Sequence, residues 1–139
     1  MPFPDRSRRR SRRERRYDAG ASQFQALVER ALDLIPEPFA RALDEVAVVV
    51  EDEPTMAQRH SLALRPQDDL YGLFEGVART EWAADWAMVP NKITLFRIAL
   101  EEDFPDPVEL EHQVRVTVLH ELGHYLGMDD DRLHDLGAY

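Results

Sequence analysis

The sequence predicts an α+β fold, and three observations carry that reading. Apolar residues recur at helical spacing over 22–35, three short β-branched or aromatic runs come next at 46–50, 70–77 and 93–98, and a long apolar stretch from Leu110 to Leu126 succeeds a strong helix start. The expected arrangement is a small sheet packed against an N-terminal helix and a central helix near the carboxyl end.

Each element has its own justification. Residues 22–35 place Phe24, Leu27, Val28, Ala31, Leu32 and Ile35 on one helical face, with Ser22 as the candidate N-cap. Pro36 and Pro38 break that helix, and a short turn of helix is expected over 38–43. Val46-Ala47-Val48-Val49-Val50 is continuously apolar, as in a buried strand, and Glu51-Asp52-Glu53-Pro54 ends it. Residues 54–68 are polar and read as a long exposed loop. In the run 70–77 the glycines Gly72 and Gly76 suggest bends. Residues 79–88 carry Trp82 and Trp86 and read as a helical turn or an edge strand, with both indoles in the core. Pro90-Asn91 is a turn that leads into a strand over 93–98.

The stretch before the carboxyl end admits two readings. Val114-Arg115-Val116-Thr117-Val118 alternates with period two, as a strand does. Against that, Asp106 can cap a helix, Pro107 suits its first position, and Glu109 can complete a capping box. A single helix over 107–126 is expected, apolar nearly all round because it lies in the centre of the domain.

That choice decides the chemistry. His120-Glu121-Leu122-Gly123-His124 continues through Gly127 to Asp130, so the segment reads HExxHxxGxxD. On a helix the two imidazoles lie one turn apart on the same face and can share one metal ion; on a strand they would stand about 13 Å apart. Glu121 sits beside them, placed to take a proton from water activated by the metal. Gly127 can end the helix with a positive φ and return Asp130 to the ion. The bland alternative is a polar helix end with two solvated histidines. It requires Gly127 and Asp130 to be accidents as well.

The residues downstream of His124 narrow the choice of third ligand. There are only fifteen of them, and none is glutamate. Unless a glutamate upstream of the motif serves, Asp129, Asp130, Asp131, His134 and Asp135 remain; spacing favours Asp130, with His134 as its competitor. The run Asp129-Asp130-Asp131 would help hold a cation and disfavour acidic substrates.

Composition bounds the rest. With 139 residues and 44% hydrophobic content, the chain is of single-domain size, with no apolar run long enough to span a membrane. There is no cysteine, which removes disulfides and thiolate ligands. Residues 1–16 carry eight arginines and a net charge of +6, leaving −16 for residues 17–139. The expected organisation is a disordered Arg-rich tail over 1–19 and a folded domain over 20–139. The tail lacks the apolar segment of an export signal, so a cytoplasmic location is expected. Nucleic acid is a possible partner only through that arm.

With these residues in view, the chain resembles the zincin-like metallopeptidases, in particular the small bacterial minimal zincins. Gly72-Leu73-Phe74-Glu75-Gly76 is similar to that family's GLYEG segment, with Phe74 where tyrosine is usual, and residues 130–137 resemble its closing segment. The likeness covers most of residues 22–139. It implies a mixed sheet against the active-site helix, a bound Zn²⁺ held by His120, His124 and Asp130, Glu121 as general base, and peptidase activity on unknown substrates. Asp130 stands where metzincin-type proteases usually carry a third histidine. Those larger proteins also place a methionine turn beneath the metal, and this chain has no methionine after Met128. A reduced cleft and weak or narrowly restricted proteolysis are therefore expected.

The expected reaction is hydrolysis of a peptide bond, with Glu121 moving the proton from water to the leaving amine. Tyr139 is a candidate oxyanion donor. The peptide or protein substrate is expected to add as a strand to a sheet edge, in a cleft formed by residues 77–98. Two rival readings keep the ligands. One is a non-catalytic zinc-binding regulatory or interaction module, and the other an Fe(II) facial triad.

Overall fold

A computed structural model of the chain describes residues 12–76 and 91–135, with side chains from residue 21 onward. Within these residues, six helices and three strands run in the order α1 (Arg12–Asp33), α2 (Phe39–Leu43), β1 (Ala47–Glu51), α3 (Met56–Ser61), β2 (Gly72–Glu75), β3 (Lys92–Phe96), α4 (Arg97–Asp103), α5 (Pro107–Tyr125) and α6 (Asp130–Asp135). The fold is α+β with a small mixed sheet, as expected. β3 is the central strand: it pairs in parallel with β1, Val49 opposite Thr94, and antiparallel with β2, Phe74 opposite Ile93.

The core forms where α1, α5 and β3 meet. Phe24, Leu27, Val28 and Ala31 of α1 face Val114, Val118 and Leu122 of α5, with Ile93 and Leu95 of β3 beneath them. Each such fully buried aliphatic side chain stabilises the fold by roughly 1.5–3 kcal/mol relative to exposure. In α5 the buried positions Leu110, Val114, Val118, Leu122 and Tyr125 fall three or four residues apart, so helical periodicity overrides the local alternation. Thr117, a poor helix residue, donates its hydroxyl to the Gln113 carbonyl at 2.8 Å, which satisfies a buried polar group. Asp106 caps the helix through bonds from the Val108 and Glu109 amides, with Pro107 in the first turn. Only that half of the expected capping box forms among the described residues.

Several elements differ from expectation. α1 starts at Arg12, so Ser22 is inside the helix rather than its cap. Residues 54–68 are not all loop. Thr55 caps α3, accepting from the Gln58 amide at 3.1 Å while its own amide donates to Gln58 Oε1 at 2.9 Å. The strand expected over 93–98 stops at Phe96, and α4 begins at Arg97. The buried Arg97 is neutralised by Asp52 at the end of β1, 2.8 Å away, and by Glu101 at 3.4 Å. That pairing fixes the strand-to-helix turn, because a buried guanidinium needs its partners at hand. The reading of residues 79–88, with Trp82 and Trp86, lies outside the described residues. Among the described residues no helix is long and apolar enough to cross a membrane.

Candidate metal centre

α5 ends at the sheet and carries the candidate residues there. His120 and His124 lie one turn apart with ring centroids 4.4 Å from each other, edge to face. Both are partly open to solvent, at 27% and 42% side-chain exposure, so an incoming ion reaches them without unfolding anything. The helix then stops sharply. Gly127 has φ +78°, its amide donates to His124 O at 3.0 Å, and the Met128 amide donates to Gly123 O at 2.8 Å. This pair of bonds is a Schellman turn, and it needs a residue without a Cβ at Gly127.

The three aspartates after the turn have separate tasks. Asp129 caps α6, its Oδ1 accepting from the Arg132 amide at 2.8 Å. Asp130, in the first turn of α6, brings Oδ1 within 3.2 Å of His124 Nε2 and 4.0 Å of His120 Nε2. Asp131 lies next to it, exposed and outside the cluster. α6 is pulled into place by Leu133, which is fully buried and lies over Gly123. A Cβ at Gly123 would come within 1.9 Å of Leu133 Cδ2, so the glycine of the HELGH segment is what admits α6.

Among the described residues, one group of histidine and acid side chains has donor atoms close enough for a shared ion. It is His120, His124 and Asp130, all within 4.8 Å of one another. Donor atoms of a tetrahedral zinc site stand about 3.4 Å apart, given metal–ligand bonds of about 2.0–2.2 Å. The separations here bracket that value, and two imidazoles with one carboxylate are a donor set that zinc takes. His134 and Asp135, the other candidates, are not part of the group. Tyr139 and residues 77–90 of the expected cleft lie outside the described residues.

Glu121 lies beside both histidines and is also tied to the sheet. Its Oε2 accepts a hydrogen bond from the Phe74 amide of β2 at 3.1 Å. In an antiparallel pair alternate residues aim their amides away from the partner, so Phe74 presents its N–H on the side of β2 away from β3. Burial pushes the Glu121 carboxyl above the ordinary glutamate range, opposed by His124, the Phe74 amide and His120. The strand approaches closely because of Gly72, where a Cβ would meet Thr117 Cγ2 at 2.6 Å. Further along, the Phe74 ring packs on Tyr125 at 5.5 Å, and Tyr125 donates its hydroxyl to Glu45 at 2.7 Å.

The sequence model of the zincin-like metallopeptidases matches residues 43–138. The chain belongs to this family. No curated protein matches the chain. Zincin-like metallopeptidases normally bind zinc, and the matched span contains His120, Glu121, His124 and Asp130 together with the whole sheet. α1 lies outside the matched span and nevertheless supplies one wall of the core. Two contributors went unread in the sequence, the Phe74 amide and Gly123. The zincin-like GLFEG segment marked the first region without revealing a backbone donor. The second was visible as a glycine inside a buried helix, which signals a close approach.

Proposed function

We propose that this zincin-like protein is a zinc-dependent peptidase, with His120, His124 and Asp130 as the metal ligands and Glu121 as the general base. The observation that carries the reading is the position of Glu121. It is a partly buried carboxylate beside His120 and His124, held by a strand amide and outside the group of three donors. A structural metal site has no use for such a group.

Bound zinc supplies Lewis acidity and brings the pKa of water to about 7. The residues of the chain do the rest. Glu121 takes the proton from water as it attacks the peptide carbonyl, and passes it to the departing amine. Its partial burial favours holding that proton between the two events. The Phe74 amide restrains one carboxylate oxygen, and in this reading the other oxygen serves the reacting water. The open faces of His120 and His124 leave room for the peptide.

Glu121→Gln provides the test, with zinc content and hydrolysis of a mixed peptide library measured together. The expected result is one equivalent of zinc retained and cleavage lowered by about 10²- to 10⁴-fold. Undiminished cleavage by the variant removes Glu121 from the reaction. Undetectable cleavage by the zinc-loaded parent protein favours the regulatory-module reading.

A further inference from the structure

A cleft of about 340 Å³ opens between α5 and the chain leading into β2, with His120 and Glu121 at one end. The register of its two walls can be traced. Phe74 stands against Glu121 and Gly72 against Thr117, so strand and helix run side by side in the same direction. Two strand residues cover about 7 Å and four helix residues about 6 Å, so the two walls keep pace. Continued backward, that register brings Asp69 and Leu70 level with Gln113, roughly 10 Å along the helix from His120. The cleft therefore leads from the candidate metal centre to an aspartate.

Its walls are apolar or uncharged along the way, formed by Leu70, Val116 and Thr117. No lysine or arginine lines it among the described residues. The Asp69 carboxylate is exposed, and no described residue forms an ion pair with it. Asp69 is itself one of the residues that line the cleft, two positions before Tyr71. The surrounding molecule adds to the field, since residues 17–139 carry a net charge of −16.

We propose that this cleft receives a long cationic side chain, lysine or arginine, from a substrate residue flanking the bond that is cut. The methylene stem lies along Leu70 and Val116 while the charged head reaches Asp69, the division of labour such side chains adopt at any apolar surface with a polar end. A short side chain leaves the far end unfilled, and a glutamate meets Asp69 and Glu121 with like charge. The assignment rests on the peptidase reading, whose failure shows separately below.

The experiment uses zinc-loaded protein and a peptide series of one sequence, with lysine, arginine, norleucine or glutamate substituted at each position in turn. Cleavage is read by mass spectrometry, and binding is read by calorimetry on the Glu121→Gln protein. Lysine and arginine peptides are expected to bind and react about three- to fivefold better than norleucine at one flanking position. The preference fades as salt is raised. Asp69→Asn brings the lysine-to-norleucine ratio to about one, and Asp69→Lys turns the preference toward glutamate. Cleavage without a cationic preference, or a preference that survives Asp69→Asn, overturns the cleft assignment while leaving the peptidase. Lysine-selective binding with no cleavage by the parent protein does the reverse. Failure of every peptide to bind overturns both.

Discussion

The two flanks of the candidate metal centre are built to different standards. On one flank, β2 is paired with the buried strand β3, lies against α5 at Gly72, and holds Glu121 through a backbone amide. On the other, α6 has six residues and carries Asp130 on an exposed surface; among the described residues of this helix Leu133 is the buried one, lying over Gly123. The group proposed to move protons is thus fixed by the sheet, whereas the proposed third ligand is carried by a short helix. A base requires close placement relative to the reacting water, while a ligand is drawn into place by the ion it binds. The contrast teaches that precision here is concentrated on the strand side.

Substitutions that damage one flank at a time test this contrast. Leu133→Ala has the largest expected effect, removing about 2–5 kcal/mol from the packing of α6 and lowering zinc affinity by about tenfold or more. Chelator competition measures the affinity, and an unchanged value would show that α6 does not position Asp130. Gly72→Val strikes the other flank. Its side chain meets Thr117, costs about 1–3 kcal/mol in stability and shifts the Phe74 amide from Glu121, so cleavage falls while zinc is retained. Should both variants lose zinc equally, the proposed division between the flanks is wrong. Asp129→Ala removes the cap of α6 and is expected to cost about 1 kcal/mol, visible in thermal melts only as a small shift.

The smallest effect concerns pH. Tyr71 donates its hydroxyl to Asp103, and that bond, with burial and the charges of Asp103 and Asp69, pushes the phenol up to about 12 from 10.0. Because the folded value is the higher one, the contribution to stability is complete below pH 10 and disappears as the pH rises toward 12. Asp103→Asn should let this phenol ionise earlier, which an alkaline absorbance titration detects. An identical titration in the variant would show that the Tyr71–Asp103 bond does not form in solution.

Much of the frame was legible because it rests on periodicity. β1, β3 and α5 were found within a residue or two, and Asp106-Pro107 located the start of α5. The motif spacing placed His120 and His124 on one face, and Gly127 indicated a turn that does have positive φ. What escaped was decided by contacts between distant parts of the chain. α4 begins at a buried Arg97 only because Asp52 is there to meet it, and no local pattern announces that pair. α6 is too short for an amphipathic signal and owes its position to Gly123. The short α3, by contrast, does have a local signal, since Thr55 and Gln58 have the spacing of a capping box.

Placing Asp130 on so short a helix couples occupancy of the centre to order at the carboxyl end. Under the proposed ligand assignment, an ion bound there would also clamp residues 130–135 against α5, and its binding energy would add to the local stability of that segment. Stripping the protein with a chelator should then quicken amide exchange in α6 well before it touches α1 or β3.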